Sequence, residues 1–169
     1  ATPTGSMGFP ETAIGIFPGL GGMLRMARFT GPELAKYYVF TGSPISAEDA
    51  HTLGIVARLV APAEVASAIN ELVSAGNPDK YRQRAIPEKF NTLAQMGSSE
   101  NVDRLLNGQP PEGVPAELAA KAAKMIGYKA PLALKIANEI IDEQVGKSIA
   151  DAVEIELGRL NEIFSTADA

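Results

Sequence analysis

Only one stretch of this chain reads plainly as a β-strand, and that limits what the chain can fold into. Ile55 to Val60 is a short apolar run, partly β-branched, of the kind that fits a pleated, half-buried surface. A weaker candidate lies in residues 1–22, where Gly, Pro and Thr surround the apolar run Ile14 to Phe17 and predict strand and loop rather than helix. Two strands bury too little apolar surface to stand alone. Residues 1–61 therefore read as a mixed region at the edge of a larger sheet structure that lies outside this sequence.

The rest of the chain is punctuated for helices. Met23, Leu24, Met26, Ala27 and Phe29 fit a short amphipathic helix that stops near Gly31. Pro32 is a favourable first helical residue for a second helix running to Thr41, with Gly42 as its terminator. Ser46 heads Ser-Ala-Glu-Asp, close to a capping box, and Gly54 closes that helix. Helical patterns then cover roughly 63–74, 87–96, 98–107, 115–127, 131–145 and 148–164, with Pro115 and Pro131 at starts and Gly76, Gly108 and Gly146 at ends. Residues 62–169 thus read as a helical array, suited to oligomerisation.

Composition excludes several classes of function. With 46% apolar and 21% charged residues, the 169-residue chain is globular in character and sized for one ordinary domain. A net charge of −5 argues against a surface that tracks nucleic-acid phosphates. The absence of cysteine removes disulfides, thiolate zinc sites and a thiol nucleophile. The uncharged stretch Thr12 to Leu24 is short and holds five Gly or Pro residues, too broken to cross a bilayer. The chain opens without a basic and apolar leader, which fits a cytoplasmic or organelle-matrix protein.

The informative stretch is Gly8-Phe-Pro-Glu-Thr-Ala-Ile-Gly-Ile-Phe-Pro-Gly-Leu-Gly-Gly22. It sets one carboxylate, Glu11, on a turn stiffened by Pro10, and then a glycine-rich loop, Gly19-Leu20-Gly21-Gly22, that opens a helix. Glycines let backbone approach a ligand closely, and a helix start offers free N–H groups and partial positive charge. A carboxylate facing such an end can act as a general acid or base. The plainer reading is a surface glutamate followed by a tight packing turn, and composition alone favours it. The glycines lack the third position that a dinucleotide fingerprint needs.

The order of these residues resembles the crotonase superfamily, which includes the enoyl-CoA hydratases and isomerases. Met7 to Gly22 resembles the family's F-G-x-P-E-x-x-x-G-x-x-P-x-x-G-G stretch. Phe40-Thr-Gly-Ser-Pro-Ile-Ser-Ala-Glu-Asp-Ala50 resembles its LTG-x-x-I-SA segment, and Gly54-Ile-Val-Ala-Arg-Leu-Val60 the strand that follows. Lys129-Ala-Pro-Leu-Ala-Leu-Lys135 and Glu162-Ile-Phe-Ser-Thr-Ala-Asp-Ala169 are similar to later blocks. Several blocks in the right order are far more specific than any one of them.

The resemblance implies an α/β chain, the C-terminal part of a crotonase-like ββα spiral, mostly helical within these residues. It implies that Glu11 is the catalytic glutamate of the P-E motif, with Pro10, Phe17, Gly19, Leu20, Gly21 and Gly22 contacting substrate. It implies an acyl-CoA substrate, hydration or double-bond isomerisation of a 2-enoyl-CoA, no metal, and no cofactor beyond the coenzyme A of the substrate itself. In hydratases a second glutamate and two oxyanion-binding amides lie upstream; only ten residues precede Glu11 here. The chain is therefore expected to need the missing N-terminal half of the same fold and to be inactive alone. It is also expected to form a homo-oligomer, a trimer or hexamer, through C-terminal helices.

Two departures bear on the type of enzyme. Residues 74–128 make the region before Lys129 longer than in a compact hydratase, as in 3-hydroxyisobutyryl-CoA hydrolases and in hydratase domains fused to 3-hydroxyacyl-CoA dehydrogenases. Gly19 stands where those hydrolases carry an acid, which favours hydratase or isomerase chemistry. The alternatives are such a hydrolase, or an assembly module without catalysis. Elsewhere, His51 reads as a packing or surface residue. Arg25 and Arg28 read as a solvated or ion-paired face ahead of a contact to CoA phosphates. Lys135 and Glu139 read as a charge pair on one helix. Ile149, Val153, Leu157, Leu160 and Phe164 form an apolar stripe that lines either the core or, as the resemblance favours, a subunit interface.

Overall fold

The computed structural model describes residues 1–76 and 85–165. Strand β1 (Ser6–Met7) pairs antiparallel with β2 (Ile45–Ser46), Ser6 opposite Ser46 and Met7 opposite Ile45. Between them run α1 (Gly22–Thr30) and α2 (Pro32–Thr41). Then come α3 (Ala47–Thr52), α4 (Val65–Ala75), α5 (Asn91–Met96), α6 (Ser99–Leu106), α7 (Ala116–Ile126), α8 (Pro131–Glu143), α9 (Ile149–Gly158) and α10 (Leu160–Phe164).

Helix α2 is the hub, packed against α1, α5, α7 and α8. Its sequence explains why. Leu34, Ala35, Tyr38, Val39 and Phe40 are all buried, so the helix is apolar nearly all round and belongs in the centre. The exception is Lys36, also buried, whose Nζ reaches Asp142 Oδ1 of α8 at 2.6 Å. A buried ammonium is tolerated only with such a partner. One core joins Phe9, Met23, Leu34, Val39, Phe40 and Ile45 to Ile136, Ile140, Ile141 and Ile163. Helix starts follow local chemistry: Ser46, Ser98 and Ser148 each accept from a backbone N–H three residues on, and Pro32 and Pro131 open α2 and α8.

Four expectations need correction. Ile55 to Val60 is not a strand: Ile55 and Val56 fold back to donate to the Ala50 carbonyl, and the run is half-buried without regular structure. Val60 N–H donates to the Ala1 carbonyl and the Ala1 amine to Arg58 O, but one partner residue does not make a ladder. Ile14 to Phe17 is not a strand either. A 3₁₀ turn covers Glu11–Ile14, ended by left-handed Gly15. Residues 148–164 are two helices rather than one. The break falls at Gly158 and Arg159, where a poor helix former meets a guanidinium held by Glu139, Glu143 and Glu162 at 3.2, 2.7 and 2.9 Å. Glu139 thus faces Arg159 rather than Lys135.

Candidate active site

Glu11 opens the 3₁₀ turn, and the turn is tied down from three sides. Ala13 N–H donates to Pro10 O at 3.0 Å. Buried Thr12 Oγ1 donates to Val39 O of α2 at 3.1 Å. The Thr12 carbonyl accepts from Ala130 N–H at 3.0 Å, which brings the start of α8 to the turn. The Glu11 carbonyl accepts from Ile16 N–H at 3.3 Å. The side chain is half-buried, and its Oε2 is buried without a hydrogen-bond partner among the described residues. Leaving an acceptor unpaired in this way is costly, and such atoms mark places where water or a ligand group belongs.

The glycine-rich loop is equally determined. A Cβ on Gly22 would lie 3.3 Å from Phe9 Cε1, so the missing side chain lets Phe9 pack onto the loop. Phe9 precedes Glu11 by two residues, and this contact joins the two halves of the motif. Gly21 has φ +72°, and a Cβ there would stand 2.5 Å from Arg25 Nη1. Leu20, a non-glycine, also has φ 57° and is 97% exposed. A left-handed leucine persists only where its surroundings impose it. Arg25 Nη1 donates to Leu20 O at 2.6 Å, Gly22 N–H to Gly19 O at 3.1 Å, and Gly21 N–H to Glu156 Oε1 at 2.9 Å. The loop therefore presents Leu20 outward from a fixed frame.

The other predicted contacts fall in different places. Pro10 and Gly19 are exposed beside the turn and the loop, whereas Phe17 is 3% exposed and belongs to the core. Arg25 and Arg28 both bind backbone carbonyls, those of Leu20 and Lys147. His51 Nδ1 lies 2.9 Å from Val56 O on the surface, a structural contact. Among the described residues, no group of three or more His, Asp or Glu could hold a metal ion. No helix there is long and apolar enough to cross a membrane.

Sequence reasoning missed Glu156. Helix α9 turns Ala152 and Glu156 inward and leaves Ile149 and Leu157, 60% and 51% exposed, outside. The apolar stripe is thus divided: Ile149, Leu157 and Phe164 face solvent, whereas Leu160 packs against the core. The only signal for Glu156 was its place between Ile155 and Leu157, one turn after Ala152.

The family model for enoyl-CoA hydratase/isomerase matches residues 1–169. The chain belongs to the enoyl-CoA hydratase/isomerase family. Over 121 residues it is 32% identical to the fatty acid oxidation complex subunit alpha of Pseudomonas syringae pv. tomato, covering 68% of this chain and 17% of that protein. The protein of the same name from Pseudomonas paraeruginosa is 33% identical over 124 residues, 69% of this chain and 17% of its own length. Among solved structures, a carnitinyl-CoA dehydratase from Mycobacterium thermoresistibile superposes with TM-score 0.72 at 22% identity, over 99% of this chain and 51% of that one. An enoyl-CoA hydratase from Rhodobacter sphaeroides gives TM-score 0.66 at 26% identity, over 92% of this chain and 46% of that one. The family fold, mostly helical here with one small sheet, is that of the crotonase-like proteins. The chain spans about half the length of these solved relatives, and less of the curated ones.

Proposed function

We propose that this chain carries the proton-transfer side of a site that hydrates 2-enoyl-CoA thioesters or moves their double bond. The observation that carries the reading is Glu11: a carboxylate on a rigid turn, with one oxygen buried and unpartnered, two residues after Phe9, which packs on Gly22 of a loop fixed in an otherwise unfavourable conformation. In hydration, water adds across the Cα=Cβ bond, and Glu11 would hold or deliver a proton at the acyl carbons. Leu20 and the backbone from Gly19 to Gly22 would meet the acyl chain. The reaction asks for no cofactor beyond the substrate's own coenzyme A. A second carboxylate and donors for the thioester oxygen are also required, and on this reading the other half of the fold supplies them. The match to fatty acid oxidation complex alpha subunits supports a fatty acyl substrate and a larger protein around this domain. The exposed Ile149, Leu157 and Phe164 of α9 and α10 support assembly into a homo-oligomer.

Gly19 favours this reading over the hydrolase. The hydrolases it resembles carry an acid at this position, and this chain has only a backbone there. The test is Glu11→Gln in the full-length protein. The amide keeps the shape but cannot exchange a proton at neutral pH. Turnover of crotonyl-CoA should fall at least ~10²-fold in kcat, with KM little changed and the melting curve intact. Near-normal turnover by the Gln variant would remove Glu11 from the chemistry.

A further inference from the structure

Glu156 is 5% exposed, and its Oε1 accepts from Gly21 N–H at 2.9 Å across 135 residues of sequence. Its Oε2 is buried with no hydrogen-bond partner among the described residues. No Lys, Arg or His there lies within ion-pair distance of it: Arg159, the nearest cation in sequence, is taken by Glu139, Glu143 and Glu162. Burying a carboxylate with a single N–H donor is a poor bargain for stability, and an apolar residue would serve packing better. The position is also wrong for its own helix. Glu156 lies in the last turn of α9, where the helix dipole disfavours negative charge.

What favours the carboxylate is the other end of the contact. Gly21 precedes the nine-residue helix α1, whose start carries unpaired N–H groups and partial positive charge. Two charged side chains thus grip one loop from opposite ends of the chain. Arg25 holds the Leu20 carbonyl and Glu156 holds the next peptide N–H. These are the two faces of the Leu20–Gly21 linkage, where both residues have positive φ. Removing either would let the loop relax toward ordinary backbone and withdraw Leu20.

We propose that Glu156 is a positioning residue of the site, one that sets the conformation of the Gly19–Gly22 loop from α9 and so couples the C-terminal helices to the acyl pocket. Its effect on rate rests on the enoyl-CoA reading; its effect on the loop does not. The experiment uses the full-length protein and the variants Glu156→Gln and Glu156→Asp. Gln keeps an acceptor at the same reach. Asp keeps the charge but is one methylene short of Gly21. The readouts are amide exchange of the peptide spanning residues 19–24, kcat/KM with crotonyl-CoA, and a melting curve.

For Glu156→Asp we expect exchange over 19–24 about 10-fold faster or more, relative to peptides of α2. We also expect kcat/KM lower by about 10-fold, because a small misplacement of binding groups is felt strongly in rate. Glu156→Gln should stay within about threefold of the native protein in both, since a neutral amide oxygen still accepts the N–H. A residue that only adds stability would raise exchange everywhere in step and would not separate Asp from Gln. Asp with native protection over 19–24, or Gln as impaired as Asp, overturns the proposal. If the native protein does not turn over crotonyl-CoA, the enoyl-CoA reading fails, and the exchange data still decide on Glu156.

Discussion

Replacing Gly21 by Ala isolates how firmly the loop is fixed. At φ +72° an L-residue pays about 1–2 kcal/mol for the left-handed conformation. The new Cβ would also stand 2.5 Å from Arg25 Nη1, so the guanidinium must move. It would give up its bond to Leu20 O, which is exposed to solvent and worth about 0.5–1 kcal/mol there. The sum is about 1.5–3 kcal/mol, or a loss of roughly 3–12 °C in melting temperature for a domain of this size. Gly146→Ala is the control. It has φ +73° with nothing within 4 Å of its Cβ, so it should pay the backbone cost alone, about 1–2 kcal/mol. The difference between the two reports the Arg25 clamp. Scanning calorimetry or chemical denaturation of the full-length protein measures it, and crotonyl-CoA turnover reports whether the loop matters for the site. Gly21→Ala with stability and turnover equal to the control would show that Arg25 does not fix the loop, and would refute this account of its geometry.

Two further outcomes follow from the packing. Asp142→Ala strands the buried Lys36 ammonium and should cost about 1–3 kcal/mol, discounted because Asp142 is half-exposed; Lys36→Met removes the charge altogether and should lie within about 1 kcal/mol of native or above it, as denaturant titration will show. Leu157 and Phe164 are exposed on the outer face of α9 and α10, so Leu157→Asp should lower any self-association seen by light scattering while leaving the melting temperature nearly unchanged; an unaltered oligomer would place the interface elsewhere.

Features that depend on neighbours a few residues apart were legible in the residues alone. The starts of α2, α3 and α8 follow from Pro32, Ser46 and Pro131, because a proline at the first turn has no N–H to leave unpaired and a hydroxyl at the cap accepts one from the first turn. The order Pro10, Glu11, then Gly19 to Gly22 pointed to a candidate site through its resemblance to the crotonases, where the residue types alone favoured a surface glutamate. The absence of a strand at Ile55 to Val60 was not legible. A β-branched run becomes a strand only if another strand lies alongside to accept its N–H groups, and partners are not written in local periodicity. Nor was Glu156. In a helical pattern it is one more charged residue near the end of a helix, and only the path of α8, the turn after it and α9 brings its carboxylate to Gly21. The same holds for Lys36, which the pattern leaves on α2 as an ordinary charge and which packing drives into the core against Asp142. Caps and turns are settled over a few residues by backbone hydrogen bonding. Which charge is buried, and against what, is settled by surfaces that meet only after the chain has folded.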